Sequence, residues 1–204
     1  MANIRKDFRF KLVKSFLNND ELNVLKNYAL YKLEFGQNFV IFDYGVAPYT
    51  LDFSEDALMN SILRTKTKKV EKLVGLKLFP TYAYWRWYPF GSKLTPHRDR
   101  PSCEISLTIN LYKDKNWPML IDNNEVEIDS GDGVIYLGIE DVHARKGEYQ
   151  GEAFAQLFMH YVDQNGFFTH HANDSYRKEY HQIETSEDTI NMRKLRNAKK
   201  KIKN

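Results

Sequence analysis

Leu78-Phe-Pro-Thr-Tyr-Ala-Tyr-Trp-Arg-Trp87 and, after a turn region, Glu104-Ile-Ser-Leu-Thr-Ile-Asn-Leu111 decide the fold class. Both runs are short and rich in aromatic or β-branched residues. In the second, Ile105, Leu107, Ile109 and Leu111 alternate with Ser106, Thr108 and Asn110, the period-2 pattern of a strand with two unlike faces. Working outward, Val134 to Leu137, Val142 to Arg145 and Ala153 to Val162 have the same texture. Pro-Phe-Gly, Asp-Asn-Asn and Ser-Gly-Asp-Gly supply turn chemistry between them. Upstream, Phe8 to Phe16 reads as a short strand. Asn18 with Glu21 resembles a capping box before Leu22, Leu25, Ala29 and Leu33 at helical spacing. Ser54 is placed to cap a second helix carrying Ala57, Leu58, Ile62 and Leu63, with Gly75 as its stop. Helices followed by many short strands predict an α+β, mainly β chain: an antiparallel barrel or jelly roll over 76–165, with the helical N-terminal segment, residues 1–75, packed outside. The expected organisation is one domain over 1–190, ending in a C-terminal extension over 166–190, and a basic tail over 191–204. No internal repeat is visible.

The 204 residues are ample for a core, and 42% hydrophobic with 28% charged residues excludes a disordered or collagen-like chain. The lone Cys103 excludes an internal disulfide, and there is no Cys-x-x-Cys pair to hold zinc. A charged start and the lack of a long apolar run predict a soluble, cytoplasmic protein with no membrane partner. The formal charge of +3 is unevenly spread: Met192 to Asn204 carries seven basic residues and no acid, leaving −4 on residues 1–191. Such a run is a solvated tail or, as the alternative, a nucleic-acid contact.

Pro96-His97-Arg98-Asp99-Arg100 carries the chemistry. In an extended segment residues i and i+2 point to one side, so His97 and Asp99 present an imidazole and a carboxylate to a common point. Five other histidines remain as a third ligand, and His143 is selected by its context, after the turn Ser130 to Gly133 and the strand Val134 to Leu137. Two histidines and one carboxylate are the set that holds non-haem Fe(II) on one face and leaves positions open. On the last strand Phe154, Gln156, Phe158, His160 and Val162 share a face, so Gln156 and His160 are pocket candidates if that face is interior. Ser106, Thr108 and Asn110 either line the same site or face solvent. His170, His171 and His181 fall in polar sequence after the core and are expected to be exposed.

Tyr88-Pro-Phe-Gly91, His97-Arg98-Asp99, Gly131-Asp132, His143 and the terminal strand Gln156 to Asp163 together resemble the Fe(II)/2-oxoglutarate-dependent oxygenases in their prolyl 4-hydroxylase-like branch, over roughly residues 8 to 165. The block Gly91 to Ser106 is most similar to small stand-alone members of bacteria and large phages. The resemblance implies a double-stranded β-helix (jelly-roll) core, Fe(II), and 2-oxoglutarate decarboxylated to succinate with O2 as a C–H bond is hydroxylated. It places His97, Asp99 and His143 as metal ligands and Tyr88 as a co-substrate contact; the alternative for Tyr88 is a core aromatic. The presence of Asp99 implies hydroxylation, since halogenase relatives lack that carboxylate.

One departure stands out. Many relatives carry a cation early on the last core strand for the distal carboxylate of 2-oxoglutarate, and Glu152 to Gln156 offers none. Arg145 follows His143 by two residues on the same face, an offset of roughly 6.6 Å, and its planar fork suits a carboxylate; the alternative is a solvated strand end. Arg86 and Arg100 are in reserve. The expected substrate is a prolyl peptide or a small molecule. The alternatives are a nucleic-acid hydroxylase or demethylase of the same superfamily, and a non-catalytic cupin-like metal-binding protein.

Overall fold

The computed structural model describes residues 8–35, 40–43, 45–48, 50–54 and 56–174. The basic run 192–204 and His181 lie outside the described residues. Among the described residues ten strands and two α-helices follow in chain order: β1 Phe10–Val13, α1 Asn19–Phe35, β2 Val40–Asp43, β3 Thr50–Phe53, α2 Ala57–Val74, β4 Leu78–Pro89, β5 Ile105–Lys113, β6 Met119–Ile121, β7 Asn124–Val126, β8 Gly133–Tyr136, β9 His143–Arg145 and β10 Ala153–Asp163. The chain is mainly β, with two helices and antiparallel sheets, as the alternation predicts. Among the described residues no helix is long and apolar enough to cross a membrane.

The helix ends are set by local chemistry. At α1 the Asn18 N–H donates to Glu21 Oε2 (3.0 Å) and the Glu21 N–H donates to Asn18 Oδ1 (2.9 Å), the expected capping box. At α2 the expected Ser54 cap is corrected: Asp56 is the N-cap, its carboxylate accepting from the N–H groups of Leu58 and Met59 at 3.0 Å each. A carboxylate in that place also faces the positive end of the helix dipole, which a neutral hydroxyl two residues earlier cannot do. Gly75 ends α2 in the left-handed region, φ 77°, donating to Glu71 O at 2.8 Å.

One sheet has the order β1-β8-β5-β10-β4-β3-β2, the other β7-β6-β9. The pairs β2/β3 and β6/β7 are strands that the sequence pattern passes over, being only three or four residues long. The segment before β5 joins the smaller sheet at a single bridge: His97 N–H to His143 O (3.1 Å) and His143 N–H to His97 O (2.9 Å).

The faces of the larger sheet separate two environments. Ala83 and Trp85 of β4, Ile105, Leu107, Ile109 and Leu111 of β5, and Ala155, Leu157, Met159 and Tyr161 of β10 pack against Leu25, Ala29, Met59, Leu63, Val70 and Val74 of the helices. This is the main core. Because side chains alternate, the opposite face must carry Tyr84, Arg86, Ser106, Thr108, Gln156, Phe158 and His160, and all but Tyr84 of these are buried. Cross-strand register fixes their neighbours: Gln156 stands opposite Arg86, Phe158 opposite Tyr84 and Thr108, and His160 opposite Ser106.

Candidate active site

That polar face forms one wall of a cavity lined by Tyr84, Arg86, His97, Asp99, His143, Arg145, Gln156 and His160 among others. Ser106, Thr108 and Asn110, expected either to line the site or to face solvent, do neither: all three are fully buried and none is a cavity-lining residue, Ser106 and Thr108 standing behind Asp99 and Gln156.

His97, Asp99 and His143 come together on the cavity wall. Asp99 Oδ1 lies 3.5 Å from His143 Nε2 and 3.8 Å from His97 Nε2, and the two rings are 4.2 Å apart by their centroids. The same three side chains are a group whose ligand atoms all lie within 4.8 Å of one another. Each histidine is oriented by its other nitrogen, His97 Nδ1 on Thr95 O (2.7 Å) and His143 Nδ1 on Asp141 O (3.1 Å). A carbonyl only accepts, so both rings place a proton on Nδ1 and turn Nε2 toward Asp99, the nitrogen that a divalent metal would take. Burial pushes His97 below the usual imidazole range, with His143 adding to it, so the ring is neutral at physiological pH. Burial raises the Asp99 carboxyl, but the hydrogen bond from His143 and the surrounding imidazoles outweigh it and hold Asp99 below its usual range. Two imidazole Nε2 atoms and one carboxylate converging on one point fit a divalent cation, which would displace the proton between His143 and Asp99.

Gly138 makes room for this arrangement. The Asp99 N–H donates to Gly138 O at 2.8 Å, and a Cβ on Gly138 would sit 2.4 Å from Cys103 O and 2.5 Å from both Asp99 Oδ2 and Ser106 Oγ. No larger residue fits there without displacing the carboxylate.

Arg145 also lines the cavity and is 4% exposed, which overturns its alternative as a solvated strand end. Its fork donates to the Trp117 carbonyl and to Gln156 Oε1, and its Nε has no hydrogen-bond partner. Among the described residues no carboxylate pairs with it, and burial pulls its guanidinium down to about 10. The ring of Phe154 lies 4.7 Å from the guanidinium carbon and that of Trp117 5.4 Å. Arg86 also lines the cavity, but both arms of its fork are held by Asp52. Arg100 is exposed, stacked 4.5 Å over Tyr82, and does not line the cavity. Of these three cations, Arg145 is the one that faces the cavity without an acid.

Tyr88 is buried in an aromatic cluster, edge-on to Trp117 and Phe154, and is not among the cavity-lining residues; its hydroxyl is raised by burial against the pull of Arg86 and Arg145. Gln156 and His160 do line the cavity. Tyr84 lines it too, and so do Tyr136 and Met119, the last two without a sequence signal that singles them out. Tyr84 is legible in principle, since it shares the face of β4 with Arg86, whereas Tyr136 reaches the site only because the ends of β8 and β9 meet, its ring 4.7 Å from that of His143. His171, expected to be exposed, is 9% exposed, covered where its turn folds back against Phe168.

No protein-family model matches the sequence, and no curated protein does. Solved structures do match. The non-heme alpha ketoglutarate dependent epimerase SnoN from nogalamycin biosynthesis superposes with a TM-score of 0.63 at 13% identity, over 76% of each chain. A Pseudomonas putida prolyl-4-hydroxylase superposes at 0.59 and 14% identity, over 77% of this chain and 94% of that one. The viral collagen prolyl hydroxylase vCPH from Paramecium Bursaria Chlorella virus-1, in its 2OG complex, does so at 0.58 and 13% identity, over 76% and 96%. The chain has the fold of the Fe(II)/2-oxoglutarate-dependent oxygenases. Within this oxygenase fold the chain places Gln156, not a cation, early on β10, and the cation that meets it comes from β9.

Proposed function

We propose that this protein is an Fe(II)- and 2-oxoglutarate-dependent dioxygenase in which His97, Asp99 and His143 hold the metal and Arg145 binds the distal carboxylate of 2-oxoglutarate. The observation that carries this reading is the pairing, in one cavity, of a His/Asp/His trio with a buried guanidinium that no acid among the described residues neutralises. A buried unpaired charge is costly, and an anionic ligand removes the cost. The reaction converts substrate C–H, 2-oxoglutarate and O2 into substrate C–OH, succinate and CO2. Bound Fe(II) supplies the O2 chemistry. The protein orients two imidazoles through backbone carbonyls, anchors the co-substrate through Arg145 and lines the cavity beside them with Phe158, Leu94 and Met119. In this reading the two sheets, with the His97 segment added beside β9, are the layers of a jelly roll. The substrate class proposed is a prolyl residue in a peptide, in keeping with the prolyl hydroxylases among the structural relatives, with small molecules as the second class to test.

Anaerobic titration of the protein with Fe(II) and then 2-oxoglutarate should give the weak visible charge-transfer band of a chelated keto acid. Adding O2 should release succinate and CO2. His97→Ala, Asp99→Ala and His143→Ala should each abolish both signals in a folded protein. A folded His143→Ala variant that still turns over would end the assignment of the third ligand, and a wild-type protein that binds neither Fe(II) nor 2-oxoglutarate would end the reading as a whole.

A further inference from the structure

Ser106 and His160 stand opposite each other on β5 and β10, behind Asp99. The Ser106 hydroxyl meets Asp99 Oδ2 at 2.9 Å, His160 Nδ1 at 3.0 Å and Cys103 O at 3.2 Å, with the Tyr136 hydroxyl as a further neighbour that can donate or accept. A hydroxyl owns one proton. The carbonyl of Cys103 only accepts, and so does Asp99 when it is ionised, as a metal ligand must be. A bare His160 Nδ1 would be a third claimant for the same proton. Both side-chain contacts are hydrogen bonds in one arrangement alone: His160 donates Nδ1–H to Ser106 Oγ, and Ser106 donates its proton to Asp99 Oδ2. His160 Nε2 has no partner, and a buried lone pair left without a donor is tolerated better than a buried N–H left without an acceptor. That points to the same tautomer.

We propose that His160 is a positioning residue, which as the Nδ1–H tautomer sets the direction of the Ser106 hydroxyl and thereby reserves Asp99 Oδ1 for the metal. The inference rests on the reading of His97, Asp99 and His143 as metal ligands. The geometry around Asp99 is closed on the Oδ2 side, where Ser106 and Gly138 meet it, and open on the Oδ1 side, which faces Nε2 of both histidines. Binding through one oxygen leaves more positions for other ligands than binding through two. The His160 ring is in turn held by Tyr82, 4.6 Å away by centroids, and Tyr84 at 5.9 Å, so it has little freedom to turn its Nδ1 away. Without the Nδ1–H donor, Ser106 is free to swing its proton to the Cys103 carbonyl, and Asp99 loses its tether.

The test has two independent arms on the full chain. Long-range 1H–15N spectra of the metal-free, histidine-labelled protein should show His160 protonated at Nδ1 and bare at Nε2; the opposite tautomer, or a ring protonated at both nitrogens near neutral pH, overturns the proposal whatever the variants do. Mn(II) binding, read by the loss of its free-ion electron paramagnetic resonance signal, should weaken about 10- to 100-fold in His160→Leu, His160→Gln and Ser106→Ala, the usual range for partners of metal ligands. His160→Asn should bind close to wild type, because the Asn amide places a donor where Nδ1–H was, whereas that of Gln reaches the position of Nε2. His160→Leu added to Ser106→Ala should cost nothing further. Equal weakening in the Asn and Gln variants would reduce His160 to a packing role and overturn the proposal. So would loss of a second bound Mn(II) equivalent in His160→Leu, which would make His160 a ligand. A wild-type protein that binds no Mn(II) or Fe(II) removes the proposed function, and the tautomer spectrum still decides the hydrogen-bond direction.

Discussion

At the residue scale, Arg145 is a buried charge set against stability. It is buried, held by a carbonyl and an amide, and faces no acid among the described residues. Replacing a buried ion by an apolar residue of similar volume is often neutral or stabilising, whereas separating an enclosed charge pair costs about 3–5 kcal/mol. Arg145→Met should therefore leave the thermal midpoint of the ligand-free protein unchanged or raised, and should abolish the rise in midpoint that saturating 2-oxoglutarate gives wild type. The apparent 2-oxoglutarate requirement should increase far more than that for Fe(II). Arg145→Lys should lie between, keeping the charge without the fork. An Arg145→Met protein with wild-type affinity for 2-oxoglutarate would transfer the role to Arg86, despite its pairing with Asp52.

At the scale of elements, two segments make separate predictions. The N-cap of α2 is Asp56, whose carboxylate also accepts from the Tyr28 hydroxyl at 2.7 Å and so ties α1 to α2. Asp56→Ala should cost about 1–2 kcal/mol in denaturant unfolding, and Ser54→Ala should stay within about 0.5 kcal/mol. The turn joining β8 to β9 carries Asp141, which accepts from the Leu137 N–H at 2.8 Å. Its carboxyl is pushed up to about 6, chiefly by burial, with Asp122 and Glu140 adding to the shift. A raised carboxyl binds its proton more tightly in the folded chain than in the unfolded one. Its contribution to stability is therefore fully present below about pH 4 and is lost as pH rises through 6. Asp141→Asn keeps an acceptor for Leu137 without a titrating proton. Relative to that variant, wild type should lose on the order of 1–2 kcal/mol between pH 4 and 7; a flat difference curve would show that the carboxyl titrates normally.

For the molecule as a whole, the uneven charge governs what the chain retains at low salt. Residues 192–204 contribute seven basic side chains and no acid to a chain of net +3. Removing them should leave the rate of 2-oxoglutarate turnover on a small or peptide substrate unchanged. It should abolish any retention of the protein on DNA or RNA at low salt, a retention that must fall steeply as salt rises if it comes from counterion release. Salt-independent loss of turnover on truncation would show that this segment serves the catalytic region of the chain.

Local chemistry carried a good deal of this protein in its sequence. The alternation in 105–111 and 153–162 sets two unlike faces, the Asn18/Glu21 and Gly75 signals end helices, and the spacing of His97 and Asp99 turns both to one side, because each depends only on residues a few positions apart. The sequence could rank but not decide the rest. That His143 completes the trio, that Arg145 faces the cavity while Asp52 claims Arg86 and Tyr82 stacks with Arg100, and that Ser106 meets His160 all depend on strand register. Register is set by pairings between distant segments, and a slip of one residue would turn every one of these side chains to the opposite face. Only the folded sheets, with the helices covering one face and the cavity on the other, select one register among the many the local pattern allows.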